Sequence, residues 1–108
     1  MILIEATREP HKNEIVVQVT GHAGYSEPGT DIVCAAVSAL ALALHAWATD
    51  KAETKEQVRK DGVSFIRMKA TQRTETAVEL FLAGALSIYR DYPEYISVET
   101  FEKIFSEF

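Results

Sequence analysis

The reactive side chains of this sequence narrow quickly to one thiol. The 108 residues contain one cysteine, Cys34, and three histidines, His11, His22 and His45. A single cysteine excludes an internal disulfide and a multi-cysteine metal site. Cys34 stands three residues after Asp31, in what the apolar spacing predicts to be the first turn of a helix. Unpaired N–H groups and the macrodipole there favour a negative charge, and the thiolate is the reactive form of cysteine. The position suits a nucleophile, whereas a packed structural thiol is the other fate of a lone cysteine.

A cysteine nucleophile needs a base within hydrogen-bond reach, and spacing tests each histidine in turn. His45 is eleven residues further along the same helix, about 16 Å away at 1.5 Å per residue. His11 sits at the tip of a predicted hairpin, and the second strand separates it from the loop before Cys34 by roughly 20–25 Å. His22 directly follows that strand, and the next loop leads straight to the helix start. A His22–Cys34 dyad is therefore the pairing the spacing allows, with His11 and His45 left as structural polar residues. Asp31 and Ser38 lie three before and four after Cys34, so both share its helix edge. Asp31 is placed either to orient His22, as the third member of a triad does, or to cap the helix. Ser38 is placed to meet substrate or thiol, or only to permit close packing. His22, Cys34 and Asp31 together make a thin zinc ligand set, so no metal is expected.

The elements that must position these residues can be read from hydrophobic period. Ile2 to Thr7 and Glu14 to Thr20 are rich in β-branched residues, and Ile15, Val17 and Val19 alternate with Val16, Gln18 and Thr20. They read as two strands joined by a polar turn at Glu9 to Asn13. From Asp31 to about Thr49, Val33, Val37, Leu40, Leu44 and Trp47 recur at helical spacing, with Thr30 or Asp31 as N-cap. Gln57 to Lys60 and Val63 to Ala70 flank Asp61-Gly62, a two-residue hairpin signal. A second helix runs from about Thr74 to Arg90, with Val78, Phe81, Ala85, Ile88 and Tyr92 inward and Pro93 as the stop. Ile96 to Val98 reads as a short extra strand. Phe101, Ile104, Phe105 and Phe108 fall on one helical face.

This order predicts an α+β fold of two layers: an antiparallel four-stranded sheet with two helices packed on one face, ββαββα, in one domain over residues 1–108. The other sheet face then needs cover, and with the apolar terminal stripe this points to self-association. The loop Ala23 to Thr30 carries Gly24, Tyr25 and Gly29 and reads as a mobile lid beside the site. Its Gly24-to-Gly29 spacing lacks the Lys-Ser/Thr of a phosphate loop, so no nucleotide cofactor is expected.

Composition excludes further classes. Apolar residues make up 47% and charged residues 25%, a globular balance. Lys and Arg total 11 against 16 Asp and Glu, a net charge of −5 that disfavours nucleic acid and suits a basic partner. No charge-free apolar run is read as approaching the roughly 20 residues of a membrane span. The start, Met1-Ile2-Leu3-Ile4-Glu5, has no basic leader, so a cytoplasmic location is expected.

The stretch Gly21-His22-Ala23-Gly24-Tyr25, then Gly29, then Asp31-Ile32-Val33-Cys34-Ala35-Ala36-Val37-Ser38 resembles the ribosomal-processing cysteine protease family called Prp. Tyr92-Pro93-Glu94-Tyr95-Ile96 matches the usual ending of that family, and Thr100 to Phe108 lies outside its pattern. The resemblance implies a homodimeric, cofactor-free endopeptidase. It implies trimming of a short N-terminal extension from the precursor of the twenty-seventh large-subunit ribosomal protein. Carried over residue by residue, Cys34 is the nucleophile, His22 the general base and acid, and Asp31 and Ser38 are supporting residues. Ala23 to Thr30 becomes a segment that moves when peptide binds. The alternative from another class is a non-catalytic ribosome- or ribosomal-protein-binding module with a structural cysteine. A redox-sensing thiol is a third reading, limited by the lack of a resolving cysteine.

Overall fold

The structure, a computed structural model, describes residues 1–27 and 29–100. The two β-branched runs pair as an antiparallel hairpin, β1 (Ile2–Glu9) and β2 (Glu14–Gly21), with Ile2 opposite Gly21 and Glu9 opposite Glu14. Helix α1 (Ile32–Lys51) follows, then β3 (Thr54–Lys60) and β4 (Val63–Lys69), antiparallel across the Asp61–Gly62 turn. Helix α2 (Gln72–Asp91) and β5 (Ile96–Thr100) complete the described chain. The two-layer α+β fold with order ββαββα is the one the sequence predicts.

The sheet itself is larger and mixed. It has five strands in the order β3-β4-β2-β1-β5, with β5 parallel to β1, Ile2 opposite Ile96. The expected antiparallel four-stranded sheet is corrected by that edge strand, and topology explains its direction. β4 is antiparallel to β2, and β2 to β1, so β4 and β1 point the same way. A chain that leaves β4, crosses over through α2 and returns beside β1 must therefore run parallel to it. The other crossover, β2–α1–β3, starts from an oppositely directed strand and moves to the opposite side. Right-handed connections in both cases place both helices on one face. Accordingly α1 packs on β3 and β4, α2 on β2 and β5, and the helices on each other.

That face holds the core. Ile2, Ile4 and Ala6 of β1, Ile15, Val17 and Val19 of β2, and Ile66 and Met68 of β4 are all buried at alternate positions. Each large aliphatic side chain so enclosed contributes roughly 1.5–3 kcal/mol. Along α1 the buried residues are Val33, Val37, Ala41, Leu44, His45 and Ala48, while Leu40 and Trp47 are only partly covered. The stripe read from the sequence is thus shared between two contacts, because α1 meets the sheet on one side and α2 on the other. Gly84 of α2 lets the two helices approach closely, since a Cβ there would stand 2.8 Å from Leu40 Cδ2.

Two expectations change on α1 and α2. Between Ile32 and Thr49 there is no charged residue, and α1 is long and apolar enough to cross a membrane. The expectation that no such run exists is wrong. The run belongs to a helix that packs on β3, β4 and α2, yet only a third of it is buried, and Ile32 and Leu42 are exposed. α2 starts at Gln72, two residues before the expected Thr74. Thr71 caps it, accepting from Thr74 N–H while the Thr74 hydroxyl accepts from Thr71 N–H. A capping box is read from the sequence as Glu or Gln at its third position, and threonine in that place hides the signal. The Phe101–Phe108 stripe lies outside the described residues.

His45 is structural, as expected, but buried in the wall between α1 and the β3–β4 hairpin rather than on a surface. Gln57 Nε2 donates to His45 Nδ1 at 3.1 Å and to the His45 carbonyl at 3.2 Å, and His45 Nε2 lies 2.7 Å from Ser64 Oγ. Burial first, and then the Arg59 cation, push the His45 pKa below its ordinary value. The folded chain therefore refuses a proton that the unfolded chain accepts. Stability is full above the ordinary histidine value and declines as pH falls from about 6.5. Urea unfolding checks this: His45→Gln should be less stable than the wild type at pH 7.5, and the gap should narrow at pH 5.5. A gap of constant size would remove His45 from the pH dependence.

Candidate active site

Three segments converge at one end of the sheet. β2 ends at Gly21, whose N–H donates to the Gly62 carbonyl in the β3–β4 turn at 3.0 Å. Gly21 has φ 92°, and a Cβ there would stand 2.4 Å from the Met1 carbonyl oxygen, so only glycine permits this close turn. The next residue, His22, is thrown over the β3–β4 turn. Its Nε2 would lie 3.1 Å from a Cβ on Gly62, so the bare glycine backbone makes room for the ring. The Asp61 carboxylate is 3.9 Å from His22 Nε2, and both side chains are exposed.

Cys34 enters from the opposite wall. Asp31 is the N-cap of α1, and its Oδ1 accepts the Cys34 N–H at 2.9 Å. Its Oδ2 accepts the N–H groups of Tyr25 at 2.9 Å and Ser26 at 3.2 Å. Burial would raise the Asp31 carboxyl, but the donors of Cys34, Ser26, Tyr25 and Val33 outweigh it and hold the pKa below the ordinary value. Both oxygens of Asp31 are thus taken up by backbone. The carboxylate beside His22 is Asp61, a residue that sequence reasoning passed over. It follows from the β2–β4 pairing, which carries the Asp61-Gly62 turn to the residue after Gly21 and is not legible in the sequence alone.

Cys34 is half-buried, and its Sγ accepts the Ala23 N–H at 3.3 Å. The Cys34 N–H belongs to Asp31, so the donor beside the sulfur comes from the loop rather than from the helix end. The loop is tied at its centre. The Tyr25 ring meets Tyr92 and Tyr95 edge-on, at centroid distances of 5.6 and 5.2 Å. Gly24 and Gly29 both take positive φ, 71° and 89°.

These residues line a cleft of about 770 Å³. His22, Gly24, Gly29, Asp31, Cys34 and Ser38 all border it, with Asp61 and Ser64 on the facing wall. His22 and Cys34 share the cleft without a hydrogen bond between them. Ser38 is exposed one turn beyond Cys34, on the same edge of α1. His11 lies exposed in the β1–β2 turn, at the other end of β2. Tyr25 reaches towards Tyr92 and Tyr95 and does not border the cleft. Among the described residues no three His, Cys, Asp or Glu side chains gather as a metal ligand set.

Comparison with known proteins locates this arrangement. The family model for cysteine protease Prp matches residues 1–97. The ribosomal processing cysteine protease Prp of Mycoplasma pneumoniae is 28% identical over 98 residues, which cover 90% of this chain and 94% of that protein. A protein from Streptococcus mutans of known crystal structure is 28% identical, with a TM-score of 0.66 and 93% of each chain covered. The essential ribosomal processing protease Prp from S. aureus, crystallised with a covalently linked product peptide, superimposes with a TM-score of 0.80. It covers 94% of this chain and 100% of the other, and at 23% identity this likeness is one of fold. Since the family match runs from Met1 into β5 and takes in both helices and every wall of the cleft, the chain belongs to the cysteine protease Prp family.

Proposed function

We propose that this protein removes a short N-terminal extension from the precursor of the twenty-seventh large-subunit ribosomal protein, with Cys34 as nucleophile and His22 as general base and acid. The observation that carries the reading is the placement of the only thiol and one imidazole on facing walls of a single cleft, in a chain of a cysteine protease family. The relative in Mycoplasma pneumoniae is named for ribosomal processing, and the S. aureus relative for a peptide product joined covalently to it.

The steps balance within these residues. His22 takes the Cys34 proton, and the sulfur attacks the scissile carbonyl to form an S–C bond. The Ala23 N–H beside Sγ is the nearest donor to the oxyanion that develops. The C–N bond breaks, His22 returns the proton to the leaving amine, and water hydrolyses the thioester. Asp31 acts through backbone, holding the loop and the first turn of α1, and Asp61 stands near the imidazole. Ser38 borders the path of the peptide. The loop with Gly24, Tyr25 and Gly29 moves on binding, against the hold of the Tyr25 contacts with Tyr92 and Tyr95. The net charge of −5 favours encounter with a basic ribosomal protein, an effect that salt weakens. The protein works in the cytoplasm as a homodimer. In support of the dimer, the sheet face away from the helices presents half-buried Leu3, Val16, Val58, Val63 and Phe65, and no layer among the described residues covers it.

Mass spectrometry of the precursor incubated with the protein tests the reading. The wild type should release the extension, and Cys34→Ala and His22→Ala should each abolish or nearly abolish release. Equal cleavage by wild type and Cys34→Ala would refute the reading, and absence of cleavage by both would favour a binding module.

Asp31→Asn should lower kcat/KM by about 10- to 100-fold, because a loop and a helix start lose their shared anchor. It should also lower thermal stability at pH 7. The folded carboxyl sits below its ordinary value, so its stabilising contribution is present above that value and lost as pH falls through the folded one. The stability gap between wild type and Asp31→Asn should therefore shrink below about pH 4.

Sedimentation of the full chain should give the mass of a dimer, and Phe65→Glu on the open sheet face should shift it to the monomer.

A further inference from the structure

The cleft extends past the dyad, and its wall holds a hydroxyl whose direction is set by buried His45 and its partner Gln57. Ser64 shares the helix-facing side of β4 with Ile66 and Met68 and pairs with Val19, yet it is only half-buried and borders the cleft. The Gln57 amide is oriented by its Nε2, which donates to the His45 carbonyl at 3.2 Å; the Thr49 hydroxyl lies 2.9 Å from that carbonyl and 3.1 Å from Gln57 Oε1, and its one proton serves either. His45 Nδ1 must then accept from the same Nε2. The ring proton of neutral His45 therefore resides on Nε2, and Ser64 Oγ, 2.7 Å away, is its acceptor. The proton of Ser64 is left with no acceptor among the described residues, and the open cleft lies beside it.

We propose that Ser64 is a specificity-determining hydrogen-bond donor to a carbonyl oxygen of the bound peptide, aimed into the cleft by His45 and Gln57. The inference rests on the protease reading and adds a subsite to it. Cys34 and His45 are separated along α1 by about 16 Å, with side chains that lean back towards the helix start. An extended peptide advances about 3.3 Å per residue, so the carbonyl met by Ser64 is about three to five residues from the scissile bond. Ser64 Oγ is bonded to His45 and to neither His22 nor Cys34, so its contribution falls on binding.

Two peptides separate this role from a structural one: a long peptide spanning the precursor's extension and the residues after it, and a short one with two residues on each side of the cleaved bond. Ser64→Ala should raise KM for the long peptide about 3- to 10-fold, the loss of one hydrogen bond, with kcat changed less than twofold. The short peptide should be cleaved by wild type and variant with kcat/KM equal within twofold, and Ser64→Thr should restore the long-peptide KM. If Ser64→Ala unfolds because His45 is orphaned, Ser64→Cys keeps an acceptor for His45, donates weakly and is read in the same way. An unchanged KM, or an equal loss on both peptides, overturns the inference and leaves Ser64 as a partner of His45 alone. If the wild type cleaves neither peptide, the protease reading itself has failed and the inference falls with it.

Discussion

One carboxylate holds the site together. Asp31 accepts from Cys34 through one oxygen and from Tyr25 and Ser26 through the other. The start of α1 and the reversal of the preceding loop are therefore fixed by the same side chain. Ala23 lies just before the anchored residues, and its N–H reaches Sγ as a consequence. This alters the electrostatic account of the cysteine. A helix N-terminus draws in negative charge, and here Asp31 is the anion that answers it. The sulfur relies on a donor from the loop, so its surroundings depend on loop conformation more than on the helix dipole.

That anchor works only because topology delivers three sequence-distant segments to one place. β2 and β4 are antiparallel neighbours, so the end of β2 and the β3–β4 turn meet at the same end of the sheet. α1 begins where the loop from β2 ends, on the face chosen by the right-handed crossover. His22, Cys34 and Asp61 thus come from a strand end, a helix start and a hairpin turn. None of the three needs a strained element, and each is held by regular structure next to it. The two glycines at the junction, Gly21 and Gly62, matter because backbone and an imidazole approach where a Cβ would stand.

What could be read from the sequence was local. Alternation marks β1, β2 and β4, helical spacing marks α1 and α2, and Asp31 follows from capping chemistry. The histidine that shares the cleft with Cys34 was legible because rise per residue discards His45 and His11 without any knowledge of the fold. The parts that escaped are pairings across distance. The direction of β5 depends on how many strands α2 crosses. Asp61 beside His22 depends on the register of β2 with β4, and Ser64 beside His45 on the packing of α1 over the hairpin. α1 was misjudged because its charge-free length was not counted, and packing on two sides accounts for only part of that length.

The cleft then divides by function along α1. Its first turn carries the sulfur, where any peptide bond would react alike, so little there can tell one proposed substrate from another. Discrimination has to come from groups further along, and a small domain has few of them. A hydroxyl whose other contacts are already fixed is well suited, because a peptide that places no acceptor opposite it strips its water and gives nothing in return. Binding energy gained at such a distance also holds the scissile carbonyl against the sulfur, so a remote contact can raise selectivity without adding to the reactive groups. The buried His45, held neutral by its burial and bonded at both ring nitrogens, makes physical sense as the fixed point from which that contact is aimed.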